Sequence, residues 1–167
     1  MNMQEILVEK VTLNIGAGEG GQKLENAKLL LERLSGRKAI KTLSKTRNPV
    51  FHIKKGDPIG VKVTLRGKLA EDILKKSLKA AENKISKKSI DKFGNFSFGV
   101  KEYIDYPGIK YDPTIGIIGF DVCVTLKRKG TRIEKRRIKQ TKIGKKHKIK
   151  KEESINFIKE KYNINIE

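Results

Sequence analysis

The stretch VTLNIGAGEGGQKLENAKLLL, Val11–Leu31, decides how the rest of the chain is read. Val11, Leu13 and Ile15 alternate with Thr12 and Asn14, the period-two signature of a strand with one buried and one polar face. Gly16, Gly18 and Gly21 follow, spaced as in the dinucleotide-binding pattern G-x-G-x-x-G. From Lys23 to Leu34 the apolar positions Leu24, Ala27, Leu30, Leu31 and Leu34 share one helix face, and Gly36 supplies a stop.

A dinucleotide fold makes further demands. Its first strand belongs to a parallel sheet covered on both faces, so it should be apolar throughout, and Thr12 and Asn14 break that pattern. An acidic residue should end the second strand to hold the ribose hydroxyls, yet Lys38–Thr46 has none. No repeated βαβ unit follows. The glycines therefore read as a turn needing positive φ, or as bare backbone that RNA can approach closely.

Working outward, Lys38–Leu43 is a short strand. The loop SKTRNPVFHIKKGDPIG then carries Pro49 and Pro58, which interrupt any central strand. Val61, Val63 and Leu65 alternate with Lys62, Thr64 and Arg66 in a strand over 61–66. Lys68–Glu82 is an amphipathic helix with Leu69, Ile73, Leu78 and Ala81 inward. Asn95–Val100 and Phe120–Leu126 are strands, and Lys151–Asn163 is a terminal helix. The expected class is α+β: an antiparallel or mixed sheet with helices on one face, an open polar face, and a basic C-terminal extension.

Charge bounds the partner. The 167 residues hold 39 Lys and Arg against 19 Asp and Glu, a formal net charge of +20. Such a field attracts polyanions, nucleic acid first. Residues 127–150 (KRKGTRIEKRRIKQTKIGKKHKIK) have 13 basic residues and one acidic, with too few apolar ones to pack alone. The division expected is 1–126 as a compact domain and 127–167 as a basic extension with a short helix.

Other chemistry finds little footing. Cys123 is the single cysteine, which fits a reducing, cytoplasmic setting. With only His52 and His147 besides, zinc-ligand spacing and a nucleophilic triad are both missing. The two histidines sit in basic surroundings suited to backbone or phosphate contact. KFGNFSF, from Lys92, lacks the glycine an RNA-recognition motif needs at Phe93, and Phe96 and Phe98 read as core. No apolar run approaches the ~20 residues that span a bilayer, and MNMQEIL has no signal-peptide pattern. No metal, cofactor or small-molecule substrate is expected.

LNIGAGE (13–19), GDPIGVKVTLRG (56–67), GNFSFGVKE (94–102) and GFDVCVTLKR (119–128) occur in this order. Together they resemble the universal L-five family of large-subunit ribosomal proteins. GKKHKIKKEESINFIKEKY (144–162) resembles its archaeal and eukaryotic branch. The resemblance implies an α+β fold and a non-enzyme. It also implies binding to 5S ribosomal RNA in the central protuberance and linkage to the large rRNA. A basic loop would reach the elbow of the peptidyl-site transfer RNA, and a neighbouring surface would bridge to a small-subunit head protein.

On that footing 5S contact is expected at Thr12, Asn14, Gly16, Gly18, Lys62, Thr64 and Arg66. Hydroxyl and amide groups there suit 2′-hydroxyls, and the cations suit phosphates. Transfer RNA contact is expected at Lys45, Arg47, His52, Lys54 and Lys55. Further rRNA contact is expected at Arg128, Arg132, Arg136, Arg137, Lys142, Lys145 and Lys146. The loop RNPVFHIKKGDP keeps the family's Phe51 and Ile53, but Asn48-Pro49 and Lys54-Lys55 depart from the usual Ala or Thr before Phe-x-Ile-Arg. Two competing readings are a generic RNA chaperone without preference for 5S RNA and a nucleotide-dependent enzyme.

Overall fold

A computed structural model describes residues 3–18 and 20–166. Its centre is β1 (Ile6–Gly16), flanked on both sides by antiparallel partners, β3 (Pro58–Leu65) and β6 (Phe120–Arg128). β2 (Ile40–Leu43) pairs with β3 at one edge, and β5 (Phe96–Val100) pairs with β6 at the other. The order is therefore β2-β3-β1-β6-β5, antiparallel throughout. An antiparallel first strand excludes the dinucleotide topology that the glycine spacing raised.

The alternation seen in the sequence sets the layers. Val11, Leu13 and Ile15 of β1 are buried, with Val61, Val63 and Leu65 of β3 and Phe120, Val122, Val124 and Leu126 of β6. Against this face pack α1 (Gln22–Ser35), through Leu24, Ala27, Leu30, Leu31 and Leu34, and α2 (Lys68–Ala80). Gly36 ends α1 in the left-handed conformation at φ 60°, its N–H donating to Glu32 O. The inward face of α2 is Ala70, Ile73, Leu74 and Leu78. Leu69 and Ala81, expected there, lie at its half-buried margin.

Several strands run past their expected ends. β3 begins at Pro58, a position that needs no ladder N–H, and its Cα partner Leu43 sits across a register shift. β6 continues through Arg128. A bulge between Val8 and Lys10 leaves Glu9 as the extra residue of β1, and bulges commonly redirect a side chain in this way. β4 (Lys84–Ile85) and β7 (Asn165–Ile166) form a separate two-stranded parallel sheet that no sequence pattern announces.

The terminal helix α4 (Lys151–Tyr162) returns to the core. Ile149, Ile158 and Ile164 are buried in the same apolar cluster as the sheet. Ser154 Oγ donates to Gly94 O at 2.6 Å. Gly94 is at φ +78°, and a Cβ on it would sit 2.8 Å from Ile149 Cγ2 and 3.0 Å from Ser154 Cβ of α4. The approach of α4 thus requires glycine there. Arg128 and Glu153 join α4 to the end of β6 at 2.6 Å.

Ile158→Ala should cost about 2–5 kcal/mol in urea unfolding, the range for a truncated core aliphatic. A change near zero would mean that α4 adds nothing to the stability of the sheet domain.

Candidate nucleic-acid interface

Period-two alternation that buries Val11, Leu13 and Ile15 turns Thr12 and Asn14 to the other side of the sheet. Register then aligns two rows across the strands. Lys62 of β3 faces Asn14 of β1, which faces Asp121 of β6, which faces Gly99 of β5. Thr64 faces Thr12, then Cys123, then Ser97. Lys62, Thr64, Arg66, Asp121, Cys123, Ser97 and Gly99 are exposed, while Thr12 and Asn14, on the central strand, are half-buried.

The structure thus brings Thr12, Asn14, Lys62, Thr64 and Arg66 onto one face, with cations toward the β3 side. Sequence reasoning missed Asp121, Cys123, Ser97 and Gly99. The alternation in FDVCVTL carried that information for β6, but attention to cations passed over it.

The expected glycines mark the end of β1. Ala17 N–H and Gly18 N–H both donate to Ile59 O, at 3.0 and 3.1 Å. Those two amides are occupied within the protein, so the loop offers RNA its exposed surface at Gly16 and Gly18 rather than a cradle of free donors. Gly18 is at φ 73° and Gly21 at φ 106°, so the turn requires glycine at both.

Residues 44–57 form the tip of the β2–β3 hairpin. Ser44 N–H donates to Asp57 O and Gly56 N–H to Ser44 O, and Asn48 and Ile53 exchange two backbone bonds. Asn48 Oδ1 accepts from Val50 N–H, and His52 takes φ 54° to close the turn. Lys45, Arg47, His52, Lys54 and Lys55 are all exposed on this hairpin. At its apex Val50 and Phe51 are 80% and 68% exposed. The tip is therefore apolar inside a cationic collar, a feature the sequence reading missed by weighing only its charges.

Lys127 and Arg128 end β6, and residues 129–150 follow largely as turns and loop, with a short helix α3 (Arg132–Lys135). Some of their partners lie outside the segment, where composition alone could not reveal them. Lys129 pairs with Glu5, and Lys135 with Glu9. His147 Nε2 meets Lys129 O at 2.9 Å, and Lys148 Nζ lies 5.6 Å from the Phe93 ring centre. Arg132, Arg136, Arg137, Lys142, Lys145 and Lys146 remain exposed.

Arg128 is a correction. Expected to contact rRNA, it is 7% exposed. It continues the inward series Phe120, Val122, Val124, Leu126, and so points into the protein. Its Nη2 donates to Glu153 Oε2, and its Nε has no partner. That pair ties α4 to the end of β6.

Electrostatics follow from these contacts. Partial burial pushes the Glu9 carboxyl up, but Lys135, Lys127 and Arg66 together outweigh it and hold it below the usual carboxylate range. The hydrogen bond from Arg128, with the Lys150 N–H, holds Glu153 low as well. The Thr114 hydroxyl, then Arg33, bring Asp112 down to about 2. Burial, and then Asp121, push the Cys123 thiol up. Among the described residues no cluster of His, Cys, Asp and Glu could hold a metal ion, and no helix is long and apolar enough to cross a membrane.

A half-covered antiparallel sheet, a cation-collared hairpin and an arginine- and lysine-rich flank make up a small basic protein. Comparison with known sequences makes the class specific. Residues 2–54 match the family described as Ribosomal protein L5, and residues 58–157 match the model of that ribosomal family's C-terminus. The chain is 48% identical over 165 residues to the large ribosomal subunit protein uL5 of Methanosphaera stadtmanae, covering 99% of this chain and 98% of the relative. It is 52% identical over 165 residues to that of Nanoarchaeum equitans, covering 98% and 97%. The chain belongs to the ribosomal protein L5 family, in its archaeal type. It is a structural constituent of the large ribosomal subunit in the cytoplasm, and not an enzyme.

Glu153→Gln should lower stability at neutral pH by about 1–3 kcal/mol, the range for a hydrogen bond to a charged group. A carboxyl depressed in the folded state stabilises above its unfolded pKa, and that gain is lost as pH falls through the folded value. The gap between variant and parent in urea midpoints should therefore close in acid. A pH-independent gap would contradict the ionic coupling of Glu153 to Arg128.

Proposed function

We propose that the protein binds 5S ribosomal RNA in the central protuberance through the outer sheet face, at Thr12, Asn14, Lys62, Thr64 and Arg66. Gly16 and Gly18 complete its edge. The observation that carries this is the pair of in-register rows of small polar and cationic side chains on a face that α1 and α2 leave uncovered. A-form RNA presents 2′-hydroxyls and phosphates across a wide, shallow minor groove. Thr and Asn donate to and accept from hydroxyls, and Lys62 and Arg66 neutralise phosphates at the margin.

The hairpin tip extends away from the sheet and suits the peptidyl-site transfer RNA. Its collar of Lys45, Arg47, His52, Lys54 and Lys55 would meet backbone phosphates, which all transfer RNAs share. The flank at Arg132, Arg136, Arg137, Lys142, Lys145 and Lys146 would hold the large rRNA and so link the 5S particle to the subunit body. A bridge to a small-subunit head protein is part of the same reading and rests on family membership. The division into residues 1–126 and a basic extension, 127–167, is proposed for RNA contact, with α4 anchoring the extension.

If about 6–10 phosphates are neutralised, affinity for 5S RNA should fall roughly 10³–10⁵-fold between 50 and 200 mM salt. Lys62→Glu/Arg66→Glu should weaken 5S binding and lower the slope of log affinity against log salt by about one per lost phosphate contact. Unchanged binding in that double variant would refute the sheet-face assignment.

A further inference from the structure

The outer face carries a carboxylate where RNA phosphates are to dock. Asp121 is exposed, and it faces Asn14 on one side and Gly99 on the other. Its carboxylate has no hydrogen-bond or ion-pair partner among the described residues. Other carboxylates near the basic regions are paired: Glu9 with Lys135 and Arg66, Glu25 with Lys41, Glu153 with Arg128. A free carboxylate repels phosphate and weakens non-specific RNA binding, so its place on this face calls for a ligand that donates hydrogen bonds.

We propose that Asp121, with Asn14 beside it, receives the Watson–Crick edge of an unpaired guanine of the bound RNA. This rests on the assignment of the sheet face to 5S RNA. A carboxylate offers two acceptors side by side and no donor. Guanine is the one standard base whose Watson–Crick edge offers two adjacent donors, N1–H and the N2 amino group. Cytosine and adenine place a ring-nitrogen acceptor next to their single amino group. Uracil has one N–H between two carbonyls. Each of those three would set a lone pair against a carboxylate oxygen. The remaining group on the guanine edge, O6, is an acceptor. Asn14 holds an amide donor one strand away, at the spacing of directly opposed residues on one face of an antiparallel pair.

The surroundings leave room for such a base. Gly99 has no side chain, and a Cβ there would lie 3.6 Å from Asp121 Oδ1. Thr12, Asn14, Ser97, Phe98 and Cys123 line a shallow concavity around the carboxylate. Sequence-specific reading of RNA is directed at unpaired bases, whose Watson–Crick edges are free. The arrangement gives the face a division of labour: Lys62 and Arg66 supply affinity, and Asp121 with Asn14 supplies choice of sequence.

The test measures binding of the full-length protein and its Asp121→Ala and Asp121→Asn variants to 5S RNA and to an unrelated duplex RNA, at one salt concentration. Midpoints of urea unfolding confirm that each variant folds. The expected result is a loss of about tenfold or more in 5S affinity for both variants, the scale of one bidentate base contact, with duplex affinity unchanged or raised. Kethoxal, which reacts with N1 and N2 of unpaired guanine, should find one guanine protected by the parent protein and exposed with Asp121→Ala. If removal of the carboxylate tightens both RNAs equally, or changes neither, Asp121 reads no base and the proposal is overturned. If the parent itself shows no preference for 5S RNA, the assignment of 5S RNA as the ligand fails first and the proposal fails with it.

Discussion

The structure depends on the two-sided antiparallel pairing of β1. Because β3 and β6 both run against it, the side-chain alternation of all three strands is locked to a common register. A slip by one residue in either pairing would carry Val11, Leu13 and Ile15 to the polar side and leave the helices nothing apolar to cover. The same register that builds the core lines up Lys62, Asn14 and Asp121, and then Thr64, Thr12 and Cys123, on the opposite face. The core and the proposed interface are two consequences of one pairing.

Around this centre, close approaches fix the remaining parts. Gly60 brings β3 near enough to its neighbours that a Cβ there would sit 2.8 Å from Ile15 O and 2.9 Å from Thr42 Oγ1. Gly94 does the same for α4 against the loop before β5. Arg128 and Glu153 then join α4 to the end of β6 by a charge pair rather than by apolar contact alone. Tyr103 is fully buried, and its hydroxyl accepts from Asp112 N–H at 2.9 Å. Asp112 in turn pairs with Arg33 of α1. The long β5–β6 connection is thereby held against the helix layer.

Much of this was legible in the residues. The alternation of Val11–Ile15 and Val61–Leu65, the five inward positions of α1 and its glycine stop all follow from local periodicity. So does the grouping of Thr12, Asn14, Lys62 and Thr64, which needs only that the two strands share a sheet. What periodicity could not supply was contact between distant segments. The β4–β7 pair has two residues on each side, too few to show a pattern. The turns of residues 127–150 depend on Glu5, Glu9 and Phe93, far away in the chain. Arg128 reads as a surface cation by charge alone, but its place in the inward series of β6 buries it. Asp121 is the converse case: it stands on the outward side of the same strand, a carboxylate on a face whose charge pattern is cationic.

The central claim is that RNA covers the outer sheet face, and the protein contains its own reporter for it. Cys123, the only cysteine of the chain, is exposed on that face beside Asp121 and across from Thr12. The most direct measurement is the rate at which a maleimide modifies Cys123 in the free protein and with saturating 5S RNA. Strong protection by 5S RNA is expected, relieved as rising salt dissociates the complex. Modification at the same rate with 5S RNA fully bound would place the RNA elsewhere on the molecule and contradict it.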